Sequence, residues 1–111
     1  MLLKMNGLLD IKNLTSQKYI VNVTSYNVSS NDSLILVDYT ATGSCSINLF
    51  SCSLGNYHLI ICDGGGNASK NNITINSNGT DKICGESSTK INENYNSLHL
   101  FSDGISKWYI I

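Results

Sequence analysis

The sequence contains no proline and no arginine, and 14% of its 111 residues are charged. Seven lysines are dispersed against eight acids for a formal net charge of -1, so no basic patch forms of the kind that neutralises a phosphate backbone. Binding to DNA or RNA, and attraction to an acidic membrane surface, are disfavoured. No run of about 18 apolar residues is present, which excludes a transmembrane helix and membrane insertion by one. The opening MLLKMNGLLDIKN has a short apolar run broken by Lys4 and Asn6 and no small-residue cleavage site, so no signal peptide is expected and the chain is read as cytoplasmically made.

Signatures of catalysis and of metal binding are also missing. No Gly-x-Ser-x-Gly elbow occurs, and Glu86, Glu93 and the six aspartates show no spacing that suggests a glycosidase pair. No catalytic residue and no cofactor is assigned. Cys45, Cys52, Cys62 and Cys84 include no Cys-x-x-Cys pair. Disulfides and free, mostly buried thiols are both compatible with this spacing; the lack of a signal peptide favours thiols. His58 and His99 each fall within a strand pattern. Threefold symmetry could gather three copies of one histidine on an axis, but a satisfied, partly buried imidazole is the plainer reading, and no metal site is assigned.

What the sequence has in abundance is sixteen serines, fifteen asparagines and nine glycines. Glycine reaches positive φ freely and asparagine tolerates it, so this composition suits an all-β chain with many turns. An AT-rich genome also accounts for much of the asparagine. Period-two segments recur from Gln17 onward. Strands are expected near Lys18 to Val23, Ser33 to Asp38, Cys45 to Phe50, Tyr57 to Cys62, Asn72 to Asn76, Lys82 to Cys84, Lys90 to Ile91, Leu98 to Phe101 and Lys107 to Ile111. Eight or nine short strands argue for a small sandwich or barrel-like domain over residues 17–111. No internal repeat with a clear period is seen.

The strands divide into two kinds. CSINLF and NITIN alternate strictly, with Cys45, Ile47, Leu49, Ile73 and Ile75 on the inner face. SLILVD, YHLIIC and KWYII are apolar on both faces. A two-layer domain buries one face of each sheet, so the second apolar face needs another cover, and self-association is the most economical one. Residues 1–16, with Leu2, Leu3, Met5, Leu8, Leu9, Ile11 and Leu14 around Gly7, form an apolar leader or stem expected to pack against copies of itself or on its own domain.

The most specific stretch is DGGGNASKNNITIN. It matches Asp-x-Gly-Gly-Asn-Ala-Ser-x-Asn-Asn-Ile-Thr-Ile through Asp63, Gly65, Gly66, Asn67, Ala68, Ser69, Asn71, Asn72, Ile73, Thr74 and Ile75. Ile83, Gly85 and Ile91 continue the pattern, and Ser102, Asp103, Gly104 and Trp108 close it. Over about residues 26–111 the chain thus resembles the small all-β modules that terminate phage tail fibres and recur in structural proteins of large DNA viruses. The resemblance implies an intertwined homotrimer located in the virion, a structural or attachment protein rather than an enzyme, with residues 1–16 where a shaft would join.

The loop Asp63, Gly64, Gly65, Gly66, Asn67 invites a phosphate-binding reading, but Lys70 follows Ser69 rather than glycine and a strand follows the loop, so it is read as a structural turn needing positive φ. Tyr26, Tyr39, Tyr57, Tyr95, Trp108 and Tyr109 are aromatics that could stack on sugars; Tyr95, with Asn94 and Asn96 beside it, is the candidate ligand site, and for Trp108 a core position is favoured. Seven Asn-x-Ser/Thr triplets are read as turn chemistry rather than glycosylation acceptors. Two functions are expected: a trimeric fibre head or surface-decoration module holding a host-surface glycan by avidity, or a structural trimerisation or capping module that contacts only other virion proteins. An enzyme such as a depolymerase fragment has least support.

Overall fold

Alternating apolar and polar side chains lie on opposite faces of an extended chain, so burying the apolar set selects a strand. The computed structural model describes residues 18–111, and there the alternation builds ten strands. They are β1 (Lys18–Val21), β2 (Ser25–Asn27), β3 (Leu34–Val37), β4 (Cys45–Asn48), β5 (His58–Asp63), β6 (Ile73–Asn76), β7 (Lys82–Ile83), β8 (Ser88–Ile91), β9 (Ser97–Ser102) and β10 (Lys107–Ile110). All nine expected strands are present with their ends moved by a residue or two, and β2 is an addition. The expected leader over residues 1–16 lies outside the described residues. No helix among the described residues is long and apolar enough to cross a membrane.

Two sheets result, one ordered β1-β3-β5-β9-β10-β7 and one ordered β2-β4-β6-β8. From β1 to β6 the chain steps from one sheet to the other and back, and each return lays a strand parallel to the previous one in that sheet. Parallel neighbours require a crossover, ordinarily a helix. Here the crossover is the strand of the opposite sheet, which makes β1 to β6 a short two-sheeted solenoid. β8 and β9 then run antiparallel to β6 and β5, β10 returns along β9, and β7 pairs parallel with β10. Of the two expected arrangements the fold is the sandwich, but wound largely from parallel strands.

Ile35, Val37, Leu59, Ile61, Leu100 and Trp108 from the larger sheet meet Cys45, Ile47, Ile73 and Ile75 from the smaller one in a single core. Each large apolar side chain buried this way is worth about 1.5–3 kcal/mol. Trp108 is completely buried, with the Phe50 ring edge-on at 5.4 Å and Tyr57 edge-on to Phe50 at 4.9 Å. Trp108 is a core anchor and Tyr39 is buried as well, so neither is an exposed aromatic for a ligand.

The outer faces of the two sheets differ. On the smaller sheet the outward residues are Ser25, Asn27, Ser46, Asn48, Thr74, Asn76, Ser88 and Lys90. Three of them form an amide ladder: Asn76 Nδ2 donates to Asn48 Oδ1 at 3.0 Å, and Asn48 Nδ2 donates to Asn27 Oδ1 at 3.0 Å. On the larger sheet the outward set includes Ile20, Leu34, Leu36, Ile60, Phe101 and Tyr109, exposed or half-buried. The strands expected to be half-buried thus lie in the smaller sheet, and those expected to be apolar on both faces lie in the larger.

All four cysteines are free. Cys45 and Cys52 are buried, Cys62 is half-buried, and Cys84 is exposed, so burial of the thiols is less general than expected. Burial pushes the Cys45 thiol up, and it pushes Cys52 up to about 11 with help from the Asp81 carboxylate beside it.

Candidate functional site

Strand β5 ends on Asp63, whose carboxylate is turned inward and almost wholly buried. A buried carboxylate needs several donors. Asp63 Oδ1 accepts from the amides of Gly66 at 3.1 Å and Asn67 at 3.3 Å, and Oδ2 accepts from Ala68 at 3.0 Å and Tyr95 at 2.9 Å. The Asp63 amide itself donates to the Asn96 carbonyl at 2.9 Å. The glycine-rich loop therefore does form a nest of amides, and the anion it holds is the chain's own. This is the physical reason the loop is a structural turn rather than a phosphate cradle.

Two of the three glycines have distinct demands. Gly66 has a φ of 73°, and a Cβ there would collide with the Tyr95 ring, which lies against its α-carbon. A Cβ on Gly65 would sit 2.6 Å from Asp38 Oδ1 and 3.2 Å from the Asp38 α-carbon. The asparagines that follow replace backbone pairing the loop lacks. Asn67 Nδ2 reaches the Tyr39 carbonyl at 3.4 Å, Asn71 Nδ2 the Ala41 carbonyl at 2.6 Å, and Asn72 Nδ2 the Ala68 carbonyl at 2.8 Å. The motif's conspicuous residues thus tie the β5–β6 loop to the β3–β4 loop and to itself.

The candidate ligand residues converge on the same place. Tyr95, at φ 63° and 71% exposed, caps Gly66 from the turn between β8 and β9. Asn94 Oδ1 accepts from the Ser69 amide at 2.9 Å, and Asn96 Oδ1 accepts from the Ser97 amide at 2.9 Å. The structure therefore brings Tyr95, Asn94 and Asn96 into one surface with the Asp63 to Asn67 loop, two features that the sequence places 30 residues apart or so. Among the described residues no enclosed pocket is formed. The surface offers one aromatic ring face beside backbone and amide groups, chemistry suited to shallow stacking on an apolar ring face.

Among the described residues no three His, Cys, Asp or Glu side chains gather as a metal-holding group. Sequence reasoning missed the Asp63 carboxylate as the organiser of this surface, although an aspartate directly before three glycines is a usable signal for an amide nest. It also missed the Asn27, Asn48 and Asn76 ladder, marked by an asparagine at the end of β2, β4 and β6.

No family model and no curated protein matches the chain.

Proposed function

We propose that this chain is a structural module of a virus or phage particle: a homotrimeric fibre head or surface-decoration domain that presents its loop surface to a host glycan by avidity. The observation that carries the reading is the apolar outer face of the larger sheet, where Ile20, Leu34, Leu36, Ile60, Phe101 and Tyr109 stand beyond the module's own core. An exposed apolar face of this kind marks an interaction surface, and a second copy of the chain is the most economical cover. Trimeric assembly is what the resembling fibre-end modules use, and three copies would multiply a weak single-site affinity. Tyr95, flanked by Asn94 and Asn96, is the contact surface in this reading.

The test is the solution mass by light scattering coupled to size exclusion, with and without reductant. A mass near three chains that survives reductant is expected; a monomer overturns the reading. Glycan-array binding that disappears in Tyr95→Ala is then expected of the attachment function.

One observation favours the second function, a trimerisation or capping module with no host ligand. The side-chain oxygens of Asn94 and Asn96 already accept backbone amides, and the Tyr95 ring is set against Gly66. A trimer that binds no glycan on the array would support this function.

A further inference from the structure

The chain has two histidines in all, and the fold puts them side by side. β5 and β9 are antiparallel neighbours, with His58 opposite Phe101 and Ile60 opposite His99. His58 and His99 are therefore diagonal neighbours on the outer face of the larger sheet, within the reach of long side chains across a strand pair. Their ring centroids are 6.3 Å apart with planes inclined at 64°. Both side chains are exposed, and neither ring is hydrogen-bonded to another described residue.

We propose that His58 and His99 form a two-imidazole site for a divalent transition-metal ion. Two imidazole nitrogens on one tetrahedral ion, each about 2.0–2.1 Å from it, place the ring centroids roughly 5 Å apart. Closing the observed 6.3 Å by about 1 Å is a small torsional adjustment for two exposed side chains held on rigid strands. The donor set decides the class of ion. Imidazole without carboxylate suits Zn2+, Ni2+ or Cu2+, and does not suit Ca2+ or Mg2+, which take oxygen ligands. No third His, Cys, Asp or Glu joins the pair among the described residues, so water completes the coordination. Both histidines belong to one chain and stand on the same outer face as Ile60 and Phe101, so in the proposed trimer the ion would lie at the interface between chains.

The experiment is a Zn2+ titration of the full chain followed by the imidazole proton resonances, of which there are two sets, in a Cys84→Ser background that keeps the exposed thiol out of the readout. Both sets are expected to move together and to saturate at one ion per chain, with Mg2+ leaving them unchanged. His58→Gln and His99→Gln are each expected to weaken binding at least ten-fold; as both positions are exposed, the β-sheet circular dichroism should be retained. A response from one histidine alone, equal binding by either single variant, or no response to Zn2+ at millimolar concentration overturns the proposal.

Discussion

The ring of Tyr95 rests on the α-carbon of Gly66, and a methyl group at that position would occupy the space of the ring. Gly66 also holds a φ of 73°, which L side chains rarely adopt. Gly66→Ala is therefore expected to lose about 1–3 kcal/mol in chemical denaturation. In a Tyr95→Ala background the ring clash is gone and only the φ penalty remains. The same substitution should then cost less, and an equal cost in both backgrounds would show that the ring yields freely.

Asp63 holds four backbone amides from two loops with one carboxylate. Asp63→Asn keeps the shape but removes the charge and aims an NH2 at donors. A loss of about 2–4 kcal/mol is expected. Amide hydrogen exchange should accelerate together at Gly66, Asn67, Ala68 and Tyr95; acceleration at one loop alone would contradict a shared anchor.

Acid sensitivity should trace in part to Asp103. The Lys107 amide first, then the Ile105 amide and the Ser106 amide, donate to its carboxylate and hold it below the usual range. A carboxyl depressed by folding contributes stability that is present above its unfolded pKa and lost as pH falls through its folded pKa. Denaturation midpoints measured downward from neutral pH should fall less steeply in Asp103→Ala than in the parent.

The thiols should react in the order of their exposure. Cys84 is exposed, whereas Cys45 and Cys52 are buried, and burial raises both thiols, Cys52 to about 11. A thiol reagent at neutral pH is expected to modify Cys84 first and to reach Cys45 and Cys52 on unfolding. Because the folded chain keeps these protons where unfolded thiols ionise, stability should decline as pH rises from the ordinary thiol range toward about 11 for Cys52.

The proposed trimerisation through the larger sheet predicts an asymmetric response to surface charge. Phe101→Lys, on the apolar outer face, should reduce the solution mass toward one chain. Ser46→Lys, on the polar outer face of the smaller sheet, should leave it unchanged.

Strand positions were legible because period-two alternation marks each buried face, and so was the contrast between the two sheets. β2 was not, since Ser25, Tyr26 and Asn27 supply one apolar side chain to a three-residue strand. The parallel winding was hidden for a different reason. Lys18 pairs with Leu34 and Leu34 with Ile60, so successive turns differ in length and leave no period to detect. At the candidate surface, the loop and the tyrosine turn were each visible, but their contact depends on Asp63 accepting the Tyr95 amide across the fold. The pairing of His58 with His99 likewise follows from strand order alone.

The unequal turns have a consequence for how such a chain can vary. Asn27, Asn48 and Asn76 stay aligned although the connection from β4 to β6 is longer than that from β2 to β4. Alignment is set where the strands meet and not by a constant length of connection. Sequence inserted between β3 and β4 or between β4 and β5, away from the Tyr39 and Ala41 contacts and the buried Cys52, can enlarge the rim while the stacked frame keeps its register.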